Sequence, residues 1–325
     1  MEVADGKLLD KMRMECDKLL LSAQCQDAVN METPSNAYAK WVNALLLPGE
    51  RNLYESSLCE ASEFFSIPRS EAAEILNKAI ELYADEWRKK DVNTLSDQSL
   101  ADFYNTSRYE IFELLSYHAR ENSEAAGLYV AALQIAKDLG CLQILDYGCR
   151  ISSGCILFAR NGLSIALADI STPVLEFSKW RLSRRGIEAN FVDLKNEDLA
   201  ADRYDLITCF DVLEHLRDPL KVLQQIRRAL KPNGVAVIHA PFGEDAARPM
   251  HIYRQKKKAF KRIRSVGFSF AIDLMRTHNP AGKSRFGLKV LRKVKRSLIA
   301  KSAVLLWDCY FPAFAKRKEI RKCLR

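Results

Sequence analysis

The sequence predicts a doubly wound α/β fold of the seven-stranded type, with an all-helical domain ahead of the sheet. Two observations carry this. From Leu142 onward, short apolar runs alternate with helical patterns, the arrangement of βαβ units in a parallel sheet. Before Leu142, apolar residues recur at helical spacing and no strand-like run appears. A third observation bounds the size: 325 residues, 48% hydrophobic and 28% charged, suit one large domain with an appendage or two domains.

Taken in order, TPSNAYAKWVNALLLPG and NLYESSLCEASEFF read as helices punctuated by Pro and Gly. After Pro68, which suits a first helical turn, Ala72, Ile75, Leu76, Ala79, Ile80, Tyr83 and Trp87 mark one face of a helix. A further helix runs from about Ser107 to Arg120. Then come LQILDY, a helix from Ser153, LSIALAD, a helix near Pro173 to Arg184, EANFVD, YDLITCF, PLKVLQQIRRAL and GVAVIHA. A basic helix near Arg254 to Arg264 and the strand FSFAID follow, while AVLLWDCYF reads as either strand or helix. The expected domains are a helical cap over 1–120, a ligand-binding sheet over 121–273 and a basic extension over 274–325.

The net charge of +9 divides unevenly. Residues 254–325 hold 22 Lys and Arg against Asp273, Asp308 and Glu319, so the body before them carries −10. Apolar residues interleave with charge in FGLKVLRKVKRSLIAKSAVLL, which fits a membrane surface or an acidic partner better than nucleic acid. An acidic body would repel a polyanion, and no nucleic-acid signature accompanies the basic end. No apolar run reaches the length of a spanning helix. Nine cysteines without a C-x-x-C pair, behind no signal-like start, point to reduced thiols and a cytoplasmic setting. Five histidines without ligand spacing give no metal site.

The chemistry of such a sheet belongs at the carboxyl ends of its strands. The first strand ends in LDYGCRISSG, where Gly148 permits a sharp turn and the next helix points its amide donors at the loop. The second ends at Asp169, 23 residues past Asp146, placed to accept from two ribose hydroxyls. The third ends at Asp193 and Leu194, suited to an exocyclic amine and an apolar ring face. The fourth ends in FDVLEH, and LKPNG turns into the fifth.

The ordered set LDYGC, LADIS, FVDL, YDLITCFDVLEHLRDP and RRALKPNGVAVIHAP resembles the class I S-adenosylmethionine-dependent methyltransferase superfamily over Tyr129 to Asp273. The resemblance implies S-adenosyl-L-methionine as cofactor. It places Asp146 and Gly148 by the methionyl part, Asp169 on the ribose, Ile170 and Leu194 along the adenine, Asp193 on its amine, and Phe210 with Asp211 beside the reacting centre. The loop departs from the usual D-x-G-x-G-x-G, because Arg150 and Ser152 replace two glycines. Either both side chains point away, or Arg150 grips a carboxylate as a planar fork can, or the site has degenerated. A nicotinamide dinucleotide fits worse, since GCRISSG lacks G-x-G-x-x-G spacing.

Methyl transfer from a sulfonium is a direct displacement, so the protein mainly aligns the reactants and needs a base only for a protonated nucleophile. The candidates are His215 and Asp211, with His239, His251 and His118 behind them. Tyr104 and Tyr109, beside the polar NTSR break, are candidates to face the sulfonium through cation–π attraction. The expected function is methylation of a small molecule in specialised metabolism, because a large helical cap suits an enclosed pocket. The alternatives are attack at another sulfonium carbon, releasing methylthioadenosine through aminocarboxypropyl transfer or cyclisation, and a non-catalytic scaffold.

Overall fold

The computed structural model describes residues 34–121, 123–241, 248–253, 268–277 and 285–293. Seven helices precede the first strand among these residues: α1 (Pro34–Leu45), α2 (Leu53–Phe65), α3 (Arg69–Asn77), α4 (Ala79–Lys89), α5 (Asp97–Thr106), α6 (Glu110–Ala119) and α7 (Glu124–Asp138). The alternating half follows as β1 (Gln143–Tyr147), α8 (Ser153–Ala159), β2 (Ser164–Asp169), α9 (Thr172–Ser183), β3 (Asn190–Asp193), β4 (Tyr204–Phe210), α10 (Pro219–Ala229) and β5 (Leu230–His239). Strands β6 (Phe268–Thr277) and β7 (Arg285–Lys293) close the sheet, whose order is β3-β2-β1-β4-β5-β7-β6.

β1 to β5 pair in parallel, and β7 lies antiparallel between β5 and β6. Each parallel strand is covered on both faces, which is why it reads as a continuous apolar run. The period of two sorts its side chains. Ile144, Ile165, Leu167, Leu206, Val235 and Val237 enter one core with α1, α7, α8 and α9. Leu145, Ala166, Ala168, Ile207, Ala236 and Ile238 enter the other, against α10. Helices on both faces of a mostly parallel sheet make this the expected Rossmann-like α/β architecture.

Packing crosses residue 120. Trp41 of α1 is fully buried, stacks on Tyr129 of α7 at 5.6 Å and shares the core of β1 and β2. α2, α3 and α6 form a second apolar group that closes on Ile151, Val174 and Phe177. The long helix expected after Pro68 is broken at Lys78 (φ −112°, ψ 9°). Ala72, Leu76 and Ala79 pack with α6, while Tyr83 and Trp87 join Leu100 and Phe103 of α5. One straight helix could not serve both groups.

The LKPNG segment differs from a simple turn. Its residues lie within β5, where the pairing with β4 jumps from Tyr204↔Leu230 to Leu206↔Val235. A Cβ at Gly234 would come within 3.0–3.2 Å of three backbone carbonyls, so a larger residue would press on the irregularity. The helix expected near Arg254 to Arg264 and the segment AVLLWDCYF lie outside the described residues, as does most of the basic end. The boundary set after Asp273 falls inside β6, and the chain adds β7 beyond it. Among the described residues, no helix is long and apolar enough to cross a membrane.

Candidate active site

The loop after β1 is shaped by close approach. Gly148 has φ +71°, and a Cβ there would meet Val212 Cγ2 at 2.3 Å. Arg150 and Ser152 also hold left-handed conformations, φ +50° and +60°, at the two positions where glycine was expected. The chain keeps the glycine geometry there while carrying side chains. Arg181 of α9 fixes the loop from behind, donating from Nη1 to the Ile151 carbonyl at 2.6 Å and to Ser153 Oγ at 2.7 Å.

Asp146 is only 1% exposed, so its carboxylate does not face a ligand. Tyr129 Oη donates to Oδ2 at 3.0 Å and Thr208 Oγ1 to Oδ1 at 2.6 Å. Burial pushes its carboxyl up to about 7 against those two hydrogen bonds. The same tyrosine leaves room only for glycine at Gly154, whose Cβ would lie 2.0 Å from its ring. Phe210 is likewise packed on Tyr129, at 5.0 Å between centroids, inside the core.

Asp169 stands at the end of β2, accepting from Arg150 N at 3.1 Å and Ser171 N at 3.0 Å. Helix α5 lies across this edge. Asn105 Nδ2 donates to the Ile170 carbonyl, Ser171 Oγ to the Tyr104 carbonyl, and Lys195 Nζ to Asn105 Oδ1. Ile170 stays 38% exposed. At the next edge, Asp193 accepts from Lys195 N and Asn196 Nδ2, and Leu194 N donates to the Asp169 carbonyl at 2.9 Å.

Beyond β4, Asp211 (φ +52°) pairs with His239 through Oδ1 and Nδ1, 2.7 Å apart. Burial opposes both charges. The hydrogen bond nevertheless holds Asp211 well below the carboxylate range and His239 above its usual value. His239 is therefore an ion-pair partner at the strand end. His215 meets Tyr104, with Nδ1 and the hydroxyl 3.0 Å apart, and its ring lies 4.8 Å from that of His251. Burial, then the Arg150 charge, keeps His215 neutral.

Arg150 neither points away nor meets a free ligand space. Its guanidinium turns inward, donating to the Asp211 carbonyl and lying 3.4 Å from His215 Nε2. Burial works against its charge, but Asp211, Glu113 and Glu110 outweigh it. A cavity of about 30 Å³ remains among Glu113, Tyr117, Arg150, His215, Arg248 and His251. Tyr109 does not line this cavity and packs against the Tyr83, Trp87 and Phe103 group. His118 is buried against Trp41 and pushed down to about 3 by that burial.

Several residues of this site have no motif. Glu110 and Glu113 look like polar positions of an amphipathic helix, yet both are 8% exposed. Burial, then the Asp169 charge, pushes Glu110 up to about 8. Glu110 and Asp146 should consequently each contribute a loss of stability as pH rises from about 5 to 8. The native state keeps protons on Glu110 and Asp146 that the unfolded chain releases near its ordinary carboxylate values. Melting temperature followed against pH checks this, and Glu110→Gln should flatten the slope. An unchanged slope in that variant would remove Glu110 as the cause. Glu214, His215 and His251 bring ligand atoms within 4.8 Å of one another, a grouping able to hold a metal ion. The sequence hid it because His251 arrives from a distant loop.

A family model described as a methyltransferase domain matches residues 105–272, just over half of the chain. A ubiquinone biosynthesis O-methyltransferase of Histophilus somni (strain 2336) is 33% identical over 109 residues, 31% of this chain and 46% of the relative. One from Salmonella paratyphi A (strain ATCC 9150 / SARB42) is 35% identical over 95 residues, 28% of this chain and 39% of the relative. The chain thus spans about half the length, or less, of these curated relatives. A solved S-adenosylmethionine-dependent methyltransferase from Mesorhizobium loti is 17% identical, covers 53% of this chain and 99% of its own, and aligns with a TM-score of 0.44. With the family model spanning α6 to β6 and the strand-end loops in their expected order, the chain belongs to the methyltransferase-domain family, on the class I S-adenosylmethionine-dependent fold.

Proposed function

We propose that the chain transfers a methyl group from S-adenosylmethionine to a small molecule held between the strand ends and the helices before β1. The observation that carries this reading is the enclosure of the β4 edge. Helices α4 and α6 supply Tyr83, Glu113 and Tyr117 to a wall of the cavity that Asp211 and His215 also line, so an acceptor there meets a pocket and not an open groove. The names of the curated relatives favour an oxygen acceptor. The donor would run from the loop at Gly148 along Asp169, Ile170, Asp193 and Leu194.

In this arrangement α5 and Arg150 must shift, because about 30 Å³ is far below the roughly 300–1,000 Å³ of small-molecule sites. The helices of residues 34–120 act as the cap, and the basic end beyond the sheet serves for docking to a membrane surface or an acidic partner. Neutral His215 would take a proton from a hydroxyl acceptor, while Asp211 stays paired with His239 at the β4 edge. The inward Arg150 favours a second reading, a scaffold that keeps the fold without turnover.

Incubation with S-adenosylmethionine and catechol-type or phenolic acceptors separates these readings. S-adenosylhomocysteine is the expected co-product. Methylthioadenosine formed without any acceptor would instead show chain transfer or cyclisation, and no co-product with no thermal shift would leave the scaffold.

A further inference from the structure

We propose that a cavity between α1, α7 and α8, at the amino edge of the sheet, binds an aliphatic carboxylate. The cavity measures about 390 Å³, within the roughly 300–1,000 Å³ of small-molecule sites. Its position follows from the chain. Lys137 stands in the last turn of α7, ahead of β1, and Asn161 lies between α8 and β2. Asp169 and Asp211 lie at the opposite, carboxyl ends of the parallel strands. The cavity accordingly shares no lining residue with the one at His215.

The lining has an apolar part and a charged part. Ala44, Val130, Leu133 and Leu157 form an aliphatic floor, each at most 5% exposed and each part of the core that β1 and β2 share. Among the described residues no aromatic ring lines the cavity, so the floor offers packing to a chain and no stacking to a flat ring. Lys40, Lys137 and Arg160 form the rim, and no acidic side chain among the described residues joins them. Asp138, beside Lys137, accepts from Gln134 Nε2 at 2.8 Å and stays outside the lining. This gathering of positive charge stands in the part of the chain that carries −10.

Two of the three cations are held in place. Lys137 Nζ donates to Asn161 Oδ1 at 2.8 Å, and Arg160 Nη1 donates to the Asn43 carbonyl at 3.1 Å. An ammonium offers three donors and a guanidinium five, so both groups keep hydrogens for a ligand. The C-terminal ends of α7 and α8 also meet here, each equivalent to at most about half a negative charge. Set against three cations, they leave roughly +2, which favours a single carboxylate and weighs against the denser charge of a phosphate dianion. The planar fork of Arg160 matches the two carboxylate oxygens, and the aliphatic floor takes the chain behind them.

The test is calorimetric titration of the full chain with decanoate, kept below its micelle-forming concentration. No S-adenosylmethionine is present, so the outcome stands apart from methyl transfer. Saturable binding is expected, with acetate and decanol, which lack the chain and the charge respectively, each at least about tenfold weaker. Lys137 and Arg160 are exposed. Lys137→Gln and Arg160→Gln should therefore leave circular dichroism native while each weakens decanoate about tenfold. Absence of saturable binding by the wild type would overturn the site, as would two variants that titrate like it. Decanol or acetate binding as tightly as decanoate would overturn the two-part reading of the cavity, and tighter binding of decyl phosphate would overturn the carboxylate. Displacement of decanoate by added S-adenosylmethionine would move it to the strand-end site and overturn the location.

Discussion

Replacing Glu60 by alanine is expected to destabilise the chain by about 3–5 kcal/mol, the usual cost of leaving a buried charge uncompensated. Glu60 is 0% exposed and serves two guanidinium groups. Arg181 Nε donates to its oxygens at 2.9 and 3.0 Å, and Arg185 Nη1 lies 2.6 Å from Oε1. Burial, then the Arg181 charge, already presses Arg185 down to about 10, so the single carboxylate balances a crowded pair. Urea unfolding of Glu60→Ala against the wild type measures the effect. A loss below about 1 kcal/mol would mean that water reaches these guanidiniums and screens them.

Asp169→Ala should weaken S-adenosylmethionine binding by more than tenfold. The carboxylate is the only acidic group at the end of β2, and it already accepts from Arg150 N and Ser171 N. Alanine removes the ribose acceptor and leaves two buried donors unpaired, about 1–3 kcal/mol each. Lower stability and lower affinity should therefore appear together. Asp169→Asn, which keeps one acceptor oxygen, should lose less of both. Calorimetric titration with the donor checks the affinity, and an unchanged value in Asp169→Ala would take Asp169 out of the donor site.

Much of the sheet was legible because buried parallel strands leave apolar runs bounded by turns. QILDY, SIALAD, NFVD and YDLITCF each became a strand of the expected order. The strand-end residues Asp169, Asp193 and Asp211 followed from that periodicity. Long-range pairing left no such trace. Glu60 and Arg181 are 121 positions apart, and Tyr129 reaches Asp146 from α7, a helix that the sequence did not single out. Glu110, Glu113 and Glu214 carry the residue type of a solvated face, and only the packing of α6 and the β4 loop buries them. The break at Lys78 was invisible because both halves keep one apolar spacing while serving different neighbours. The direction taken by Arg150 depends on His215 and the Asp211 carbonyl, neither of which lies near it in sequence.

The grip of Arg181 on Ile151 and Ser153 has a consequence for how freely the loop can vary. A strand-end loop that relies on glycine for its path can accept few substitutions. Here the path is anchored by a side chain from α9, itself held by Glu60, so the backbone has support that does not come from its own residues. Positions 150 and 152 become sites where evolution can install functional groups. The cost of this latitude is a dependence between distant positions, since loss of Glu60 would reach the loop through Arg181.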